Sequence, residues 1–431
     1  MKQHLVVQLA YGVAAPRLPT WLEIINDKTI ASETLHPALD SLFRRYGLPV
    51  WVGMEYPMRD NNWSPQEIRS GLNRIYRVIL QREGIFPPEL LNEIRLLPEI
   101  ESVREPVVGH MPLPRAEWVT PRMAASRDAI GLDEAHAFTR GSPEVKVAVV
   151  DTGVEMDHRE LKSVLLPGYN FVEIVDGAGA FIGRYAHADP DPDDEVGHGT
   201  HVAGIIAGQG VEMPLGVAPR IRILPVRALA AMRRGAERIG AGVVDNINVA
   251  IKWAVDQGAN IISMSLGVRH EQGGGGGLPH QEVVDYATQH GVTIVAASGN
   301  DGRLELYYPG ALPEVIAVGA ADDQGQVAPF STYNDRISLI APGVNIYSSY
   351  IGNRYAVASG TSQAAPFVSG AAALLKAFAL ERGHVLTDAQ LKHVLKTTAD
   401  KIDTNFKHPK AGFGMLNAAD ALRWLDYRYG G

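Results

Sequence analysis

Four residues stand where apolar strands run out or a helix begins, and their types complement one another. Asp151 follows the run "VKVAVV", and His198 heads "GHGTHVAGIIAG". Asn300 closes "VAASGN", and Ser362 opens "SQAAPFVSGAAALL". A serine hydroxyl needs an imidazole to take its proton, and the imidazole needs a carboxylate to fix its tautomer. The oxyanion that then forms needs donors, which an asparagine amide and the N–H groups of a helix start can supply. Each residue also has a plainer reading: Asp151 capping a turn, Asn300 within one, Ser362 as a helix N-cap with Pro366 in the first turn.

Competing chemistries lack their partners. "DTG" occurs once, so the paired carboxylates of an aspartic protease are missing. His198 and His201 are three apart, but Gly199 and Thr200 lie between them, without the glutamate of H-E-x-x-H. His201 is expected to pack inward, and the glycines beside His198 to leave room for substrate. No G-x-S-x-G surrounds Ser362, which disfavours a lipase or esterase. The five glycines of "EQGGGGGLPH" read as a surface loop, because no G-K-S/T follows them.

Two stretches of different pattern must position these groups. Up to about residue 115, "HLVVQLA", "LPVWVGMEY", "NRIYRVILQ" and "SVREPVVGH" read as strands, with "HPALDSLFRRYG" and "PPELLNEIRLLPEI" as helices. That order suggests a small α+β ferredoxin-like domain over 1–115. The proline-rich stretch that follows reads as a linker, 116–124. From 125 to 431, short continuous apolar strands alternate with helices. This pattern predicts an α/β domain, doubly wound, with a mostly parallel sheet and helices on both faces. Ligands of such sheets bind beyond the carboxyl ends of the strands.

The 431 residues carry 40 basic and 48 acidic side chains, a net charge of −8. No basic stripe suggests nucleic acid or an anionic membrane as a partner, and no apolar stretch approaches the length of a membrane span. With no cysteine, a thiol nucleophile, disulfides and thiolate-bound zinc are excluded. The N-terminal apolar run Leu5–Leu9 is short and broken by Gln8, so it reads as a strand instead of a leader. A cytoplasmic location is expected, with secretion as the alternative.

"VAVVDTG", "GHGTHVAG", "SGN" and "GTSQAAP" resemble, in this order, the four signatures of the subtilisin-like serine proteases, or subtilases. The resemblance spans about 125–425. It implies a serine endopeptidase in which Asp151 orients His198, His198 serves as base and then acid, and Ser362 attacks the scissile carbonyl. Asn300 and the Ser362 backbone N–H would hold the oxyanion. The family commonly has methionine after the nucleophile and often histidine after the proline; here Gln363 and Phe367 stand there. A catalytically silent peptide-binding module that kept the fold is the alternative.

The resemblance further implies protein or peptide substrates bound as an added strand between "ISMSLG" and "RIGAGVV". Ser265, Leu266 and Gly267 would line one wall of the specificity pocket, and Ala297 and Gly299 the other. The floor falls near "LELYYPG", where Tyr307 would favour small side chains and Glu305 basic ones. No cofactor is required for the chemistry. Structural calcium is considered at Asp189, Asp191, Asp193 and Asp194, against the reading of a solvated acidic loop. The usual calcium loop after the histidine helix, here "GQGVEMPLGVAP", lacks the polar ligands. The N-terminal domain resembles subtilase propeptides, so the protein's own first domain is expected to act as an inhibitor.

Overall fold

In the computed structural model, which describes residues 3–112, 125–173, 187–235, 237–269 and 277–429, the alternating N-terminal runs form an antiparallel sheet. It comprises β1 (His4–Leu9), β2 (Val50–Met54), β3 (Ile75–Leu80) and β4 (Ile100–Arg104), in the order β2-β3-β1-β4. Four helices accompany it: α1 (Trp21–Asn26), α2 (Pro37–Arg45), α3 (Pro65–Arg69) and α4 (Pro88–Arg95). Leu5, Val7 and Leu9 share one sheet face and pack with Leu39, Phe43, Leu90 and Ile94 of α2 and α4. The short helices α1 and α3 escape a periodicity argument. Each nevertheless starts with a capping box, Thr20 with Glu23 and Ser64 with Glu67.

"SVREPVVGH" is two strands instead of the single one expected. β4 ends at Arg104, and β5 (Val108–Pro112) begins past Pro106, which has no N–H to give a ladder. β5 leaves the small sheet and pairs elsewhere. The expected linker, 116–124, lies outside the described residues.

The larger unit opens with α5 (Ala125–Asp128) and α6 (Leu132–Phe138), followed by β6 (Lys146–Asp151), β7 (Tyr169–Asn170), α7 (His198–Ala207) and β8 (Arg222–Arg227). Next come β9 (Ala230–Arg234), β10 (Glu237–Val243), α8 (Val244–Asp256), β11 (Ile261–Met264), β12 (Val268–Arg269), α9 (Gln281–Gln289) and β13 (Thr293–Ala297). The rest is β14 (Tyr307–Tyr308), β15 (Ile316–Ala321), β16 (Ile337–Pro342), β17 (Ile346–Tyr350), β18 (Arg354–Ala358), α10 (Thr361–Leu380), α11 (Asp388–Thr397) and α12 (Ala418–Tyr429).

Seven strands form a parallel sheet in the order β16-β15-β13-β11-β6-β8-β7. Every residue of β11, β13, β15 and β16 is buried, the outcome expected of strands covered on both faces. Val147, Val149 and Val295 point toward α7 and α10, whereas Ala148, Val150 and Ile294 point toward α8 and α9. α10 is long and apolar enough to cross a membrane, contrary to the reading that no stretch approaches that length. It is 94% buried as the core helix. The two-stranded pairs β17-β18 and β12-β14 and the three-stranded β5-β10-β9 lie outside this sheet.

The second face of the N-terminal sheet covers α8 and α9. Val6, Trp21, Tyr56 and Ile75 join the apolar cluster of Val244, Ile247 and Val283. Charge is buried there too. Arg77 donates to both oxygens of Glu55 (2.6 and 2.8 Å) and to Asn246 Oδ1 (2.8 Å). Arg104 donates to Asp245 (2.9 Å) and Glu282 (2.6 Å). Lys252, wholly buried, pairs with Glu67 (2.8 Å) and Asp256 (2.7 Å). Burial alone would raise the Asp245 carboxyl, but Arg104, His4 and Arg77 outweigh it and hold it well below the carboxylate range.

His280, buried at this interface, donates through Nδ1 to Asn248 Oδ1 (2.6 Å). Burial pushes it down to about 4, against the opposing pull of Glu282 and Asp245 and with a smaller push from Arg104. A folded pKa below the unfolded value means stability that is present above pH ~6.5 and lost as pH falls toward 4, by about 3 kcal/mol for a shift of this size. His280→Asn keeps an amide donor near the Nδ1 position and suits the positive φ of 68° there. Its unfolding midpoint, followed by calorimetry from pH 7 to 4, is expected to fall less steeply than that of the parent.

Candidate active site

Asp151 is the last residue of β6, at the carboxyl edge of the sheet. Its Oδ1 accepts the Thr152 N–H (2.7 Å) and lies 2.7 Å from His198 Nδ1, in a setting where both side chains are fully buried. α7 begins at His198, and several contacts hold its first turn. The Gly199 N–H donates to Thr152 Oγ1 (2.9 Å). Asp194, which reads in the sequence as a solvated or metal-binding acid, is a buried cap. Its carboxylate accepts the N–H groups of Val196, Gly197 and Thr200 and the Thr200 hydroxyl, at 2.7–3.0 Å. Burial pushes that carboxyl upward despite the four donors.

The glycines beside His198 make room for the protein itself instead of substrate. A methyl group on Gly197, at φ 99°, would sit 2.3 Å from the Tyr350 ring, and one on Gly199 would sit 2.0 Å from the Gly153 carbonyl. His201 turns inward as expected. Its Nε2 is shared between the carbonyls of Ile346 and Ala356 (3.1 and 3.2 Å), and burial pushes it down to about 3. A neutral imidazole thus ties α7 to the β17-β18 hairpin.

Ser362 is the second residue of α10. The N-cap is Gly360, so Ser362 does not take that role, and Pro366 lies past the first turn. Pro366 has no N–H for the Ser362 carbonyl. The Ser265 hydroxyl donates to that carbonyl instead (2.8 Å), and Ser362 Oγ donates back to the Ser265 carbonyl (3.1 Å). The His198 imidazole presents Nε2, a buried nitrogen with no hydrogen-bond partner. Asn300 is oriented by α10: its Oδ1 accepts the Thr361 N–H (2.8 Å) and hydroxyl (3.1 Å), leaving Nδ2 as the donor. Thr361 was missed in the sequence, although the motif that holds Ser362 contains it.

Ser265, Leu266 and Gly267 follow β11, and Ala297 and Gly299 follow or end β13, on the neighbouring strand. The Tyr307 ring lies between these walls. Methyl groups placed on Gly267 and Gly299 would approach it to 3.2 and 2.6 Å. The Tyr307 hydroxyl donates to Asp301 (2.8 Å) and accepts from Arg269 (2.9 Å). Glu305 faces Arg303 and Arg269 at 3.6 and 3.8 Å. β5 runs antiparallel along β10, with Val108 opposite Val243 and Pro112 opposite Ile239, and also touches β12 just past Gly267.

The carboxylates considered for calcium bind the backbone of their own loop, of Met156 and of α7. Asp189, Asp191 and Asp193 accept backbone N–H groups of Asp191, Asp193 and Met156, and Asp194 is fully used as a cap. No group of three metal-ligating side chains occurs among the described residues. The loop after α7 is held by the buried Glu160 carboxylate, from the segment between β6 and β7, which accepts the N–H groups of Val211 (3.0 Å) and Glu212 (2.7 Å) and also the Tyr355 hydroxyl of β18 (3.1 Å).

A family model described as the subtilase family matches residues 142–415. Over 294 residues the chain is 37% identical to a thermophilic serine proteinase of Bacillus sp. (strain AK1), a match covering 68% of this chain and 65% of that protein. It is 32% identical to an alkaline protease of Alkalihalobacillus alcalophilus, over 78% of this chain and 77% of that protein. It is 35% identical to subtilisin BL of Lederbergia lenta, over 65% and 91%. The chain belongs to the subtilase family, and so to the class of subtilisin-like serine endopeptidases, which need no cofactor for their chemistry.

These relatives correct the expected cytoplasmic location. Alkaline proteases and subtilisins of this kind point to secretion. The run Leu5–Leu9 is a buried strand of a folded sheet, and its lack of leader character therefore carries no information about export.

Proposed function

We propose that the protein hydrolyses peptide bonds through Asp151, His198 and Ser362, and that its N-terminal domain, residues 1–115, inhibits the catalytic domain, 125–431. The observation that carries the first part is the buried 2.7 Å contact between Asp151 and His198 Nδ1, which directs the unpartnered Nε2 away from the carboxylate. Rotation of Ser362 about χ1 moves its hydroxyl from the Ser265 carbonyl to that nitrogen. His198 takes the proton as Oγ attacks the scissile carbonyl, then gives it to the leaving amine. Asn300 Nδ2 and the Ser362 N–H, which lies in the helix's first turn, stabilise the oxyanion. Water repeats the cycle on the acyl-enzyme.

Ser362→Ala is expected to lower turnover by orders of magnitude with the fold retained. Asn300→Ala should cost about 10²–10³ in kcat, because a backbone donor remains. Undiminished hydrolysis by Ser362→Ala would overturn the assignment.

Tyr307, wedged between the pocket walls, supports a preference for small residues before the scissile bond, and Glu305 is occupied by arginines outside it. Replacing Tyr307 with glycine is expected to move kcat/KM on a peptide panel toward large apolar side chains. An unchanged ranking would mean that the ring does not form the floor.

β5 supports the second part of the proposal. It pairs with β10 and lies against β12, as an added substrate strand would. Tethering keeps it at high effective concentration. Cutting within residues 109–122 should raise turnover of a short peptide, and the freed N-terminal domain added back should lower it. An uncut chain as active as the cut one would defeat this reading.

A further inference from the structure

Gln363, directly after Ser362, is only 1% exposed, and its Nε2 is buried with no hydrogen-bond partner. A buried amide left unpaired is unfavourable, yet an apolar side chain of the same length, methionine, would fit there without that penalty. The end of the side chain faces a definite place. A methyl group on Gly360 would lie 2.9 Å from Gln363 Oε1 and 3.4 Å from Asn300 Nδ2. Two primary amides thus converge on one small space ahead of the first turn of α10. The Asn300 amide is fixed by Thr361. The Nε2 of Gln363 has no hydrogen-bond partner, and a half-turn about its last torsion exchanges oxygen and nitrogen with little change of shape.

We infer that Gln363 is a further substrate-contacting donor, whose Nε2–H pairs with the scissile carbonyl oxygen as it becomes an oxyanion, alongside Asn300 Nδ2 and the Ser362 N–H. The inference rests on the reading of Ser362 as nucleophile and adds to it a donor that methionine cannot provide. Because the bond is made to the developing charge, it acts on kcat and leaves ground-state binding alone.

The test uses the full chain, with active sites counted by fluorophosphonate titration. Gln363→Met should lower kcat about ten- to a hundredfold at unchanged KM, the size of one hydrogen bond to a charged group. It should weaken a peptide aldehyde inhibitor, whose adduct carries an oxyanion, by the same factor. A product peptide should bind as before. In Gln363→Glu, the ratio of its kcat to that of the parent should rise as pH falls, since the neutral acid regains an O–H donor; this variant decides the matter if the methionine variant does not fold. Parental kcat and aldehyde affinity in Gln363→Met, with Ser362→Ala inactive, would overturn the inference and leave the proposed function standing. Retained turnover in Ser362→Ala would overturn both.

Discussion

The arrangement depends on bringing a strand end and a helix start together closely enough for a buried carboxylate to meet one particular imidazole nitrogen. A contact of 2.7 Å between fully buried groups tolerates little error. An unpaired carboxylate or imidazole at that depth would be far more unfavourable than at the surface. The local structure holds the two termini in several independent ways. Thr152 and Gly199 link them by a hydrogen bond, the Gly153 carbonyl presses on Gly199, and Asp194 caps the first turn of α7 through four donors. His201 anchors the same helix to the β17-β18 hairpin from its other side. Together these residues decide where His198 Nε2 points.

The second half of the site is built on a helix whose regular bonding is deliberately interrupted. Pro366 withholds an N–H from the Ser362 carbonyl, and Ser265 fills the vacancy from the neighbouring strand. The segment Ser265–Gly267 and Ser362 are thereby one hydrogen-bonded unit. Thr361 does the same for the segment after β13, tying Gly299 and Asn300 to α10. Both segments therefore take their position from the helix that carries Ser362.

The contact of the N-terminal sheet with α8 and α9 combines an apolar patch with buried ion pairs. Arg104 with Asp245 and Glu282, and Lys252 with Glu67, pair across the contact, whereas Arg77 with Glu55 and Lys252 with Asp256 pair within one side of it. Removing one member of such a pair typically costs about 3–5 kcal/mol, whereas the intact pair adds little net stability. This contact therefore favours correct seating over tightness. On separation, both sides can rehydrate their charges.

Much was legible in the sequence because it is local. Continuous apolar runs announced strands buried on both faces, the spacing of the helices announced a parallel sheet, and the four short motifs named Asp151, His198, Asn300 and Ser362. The ferredoxin-like order of the first domain followed from the same alternation. Other features depend on contacts distant in the chain, which no local pattern records. Asp194 is the exception: its donors Val196, Gly197 and Thr200 are local, and it looked like a solvated acid only because it stands in a run of aspartates. Of the glycines beside His198, Gly197 answered to Tyr350, more than 150 residues later, and Gly199 to the carbonyl of Gly153, which the fold brings back from the end of β6. "SVREPVVGH" split in two because its second half found β10, 130 residues on. Residue types and their order determined the chemistry available to this protein. Only tertiary packing decided which nitrogen the carboxylate meets, which strand pairs with β10 and which amides gather at the start of α10, because each of these is a distance between groups that the chain itself does not hold together.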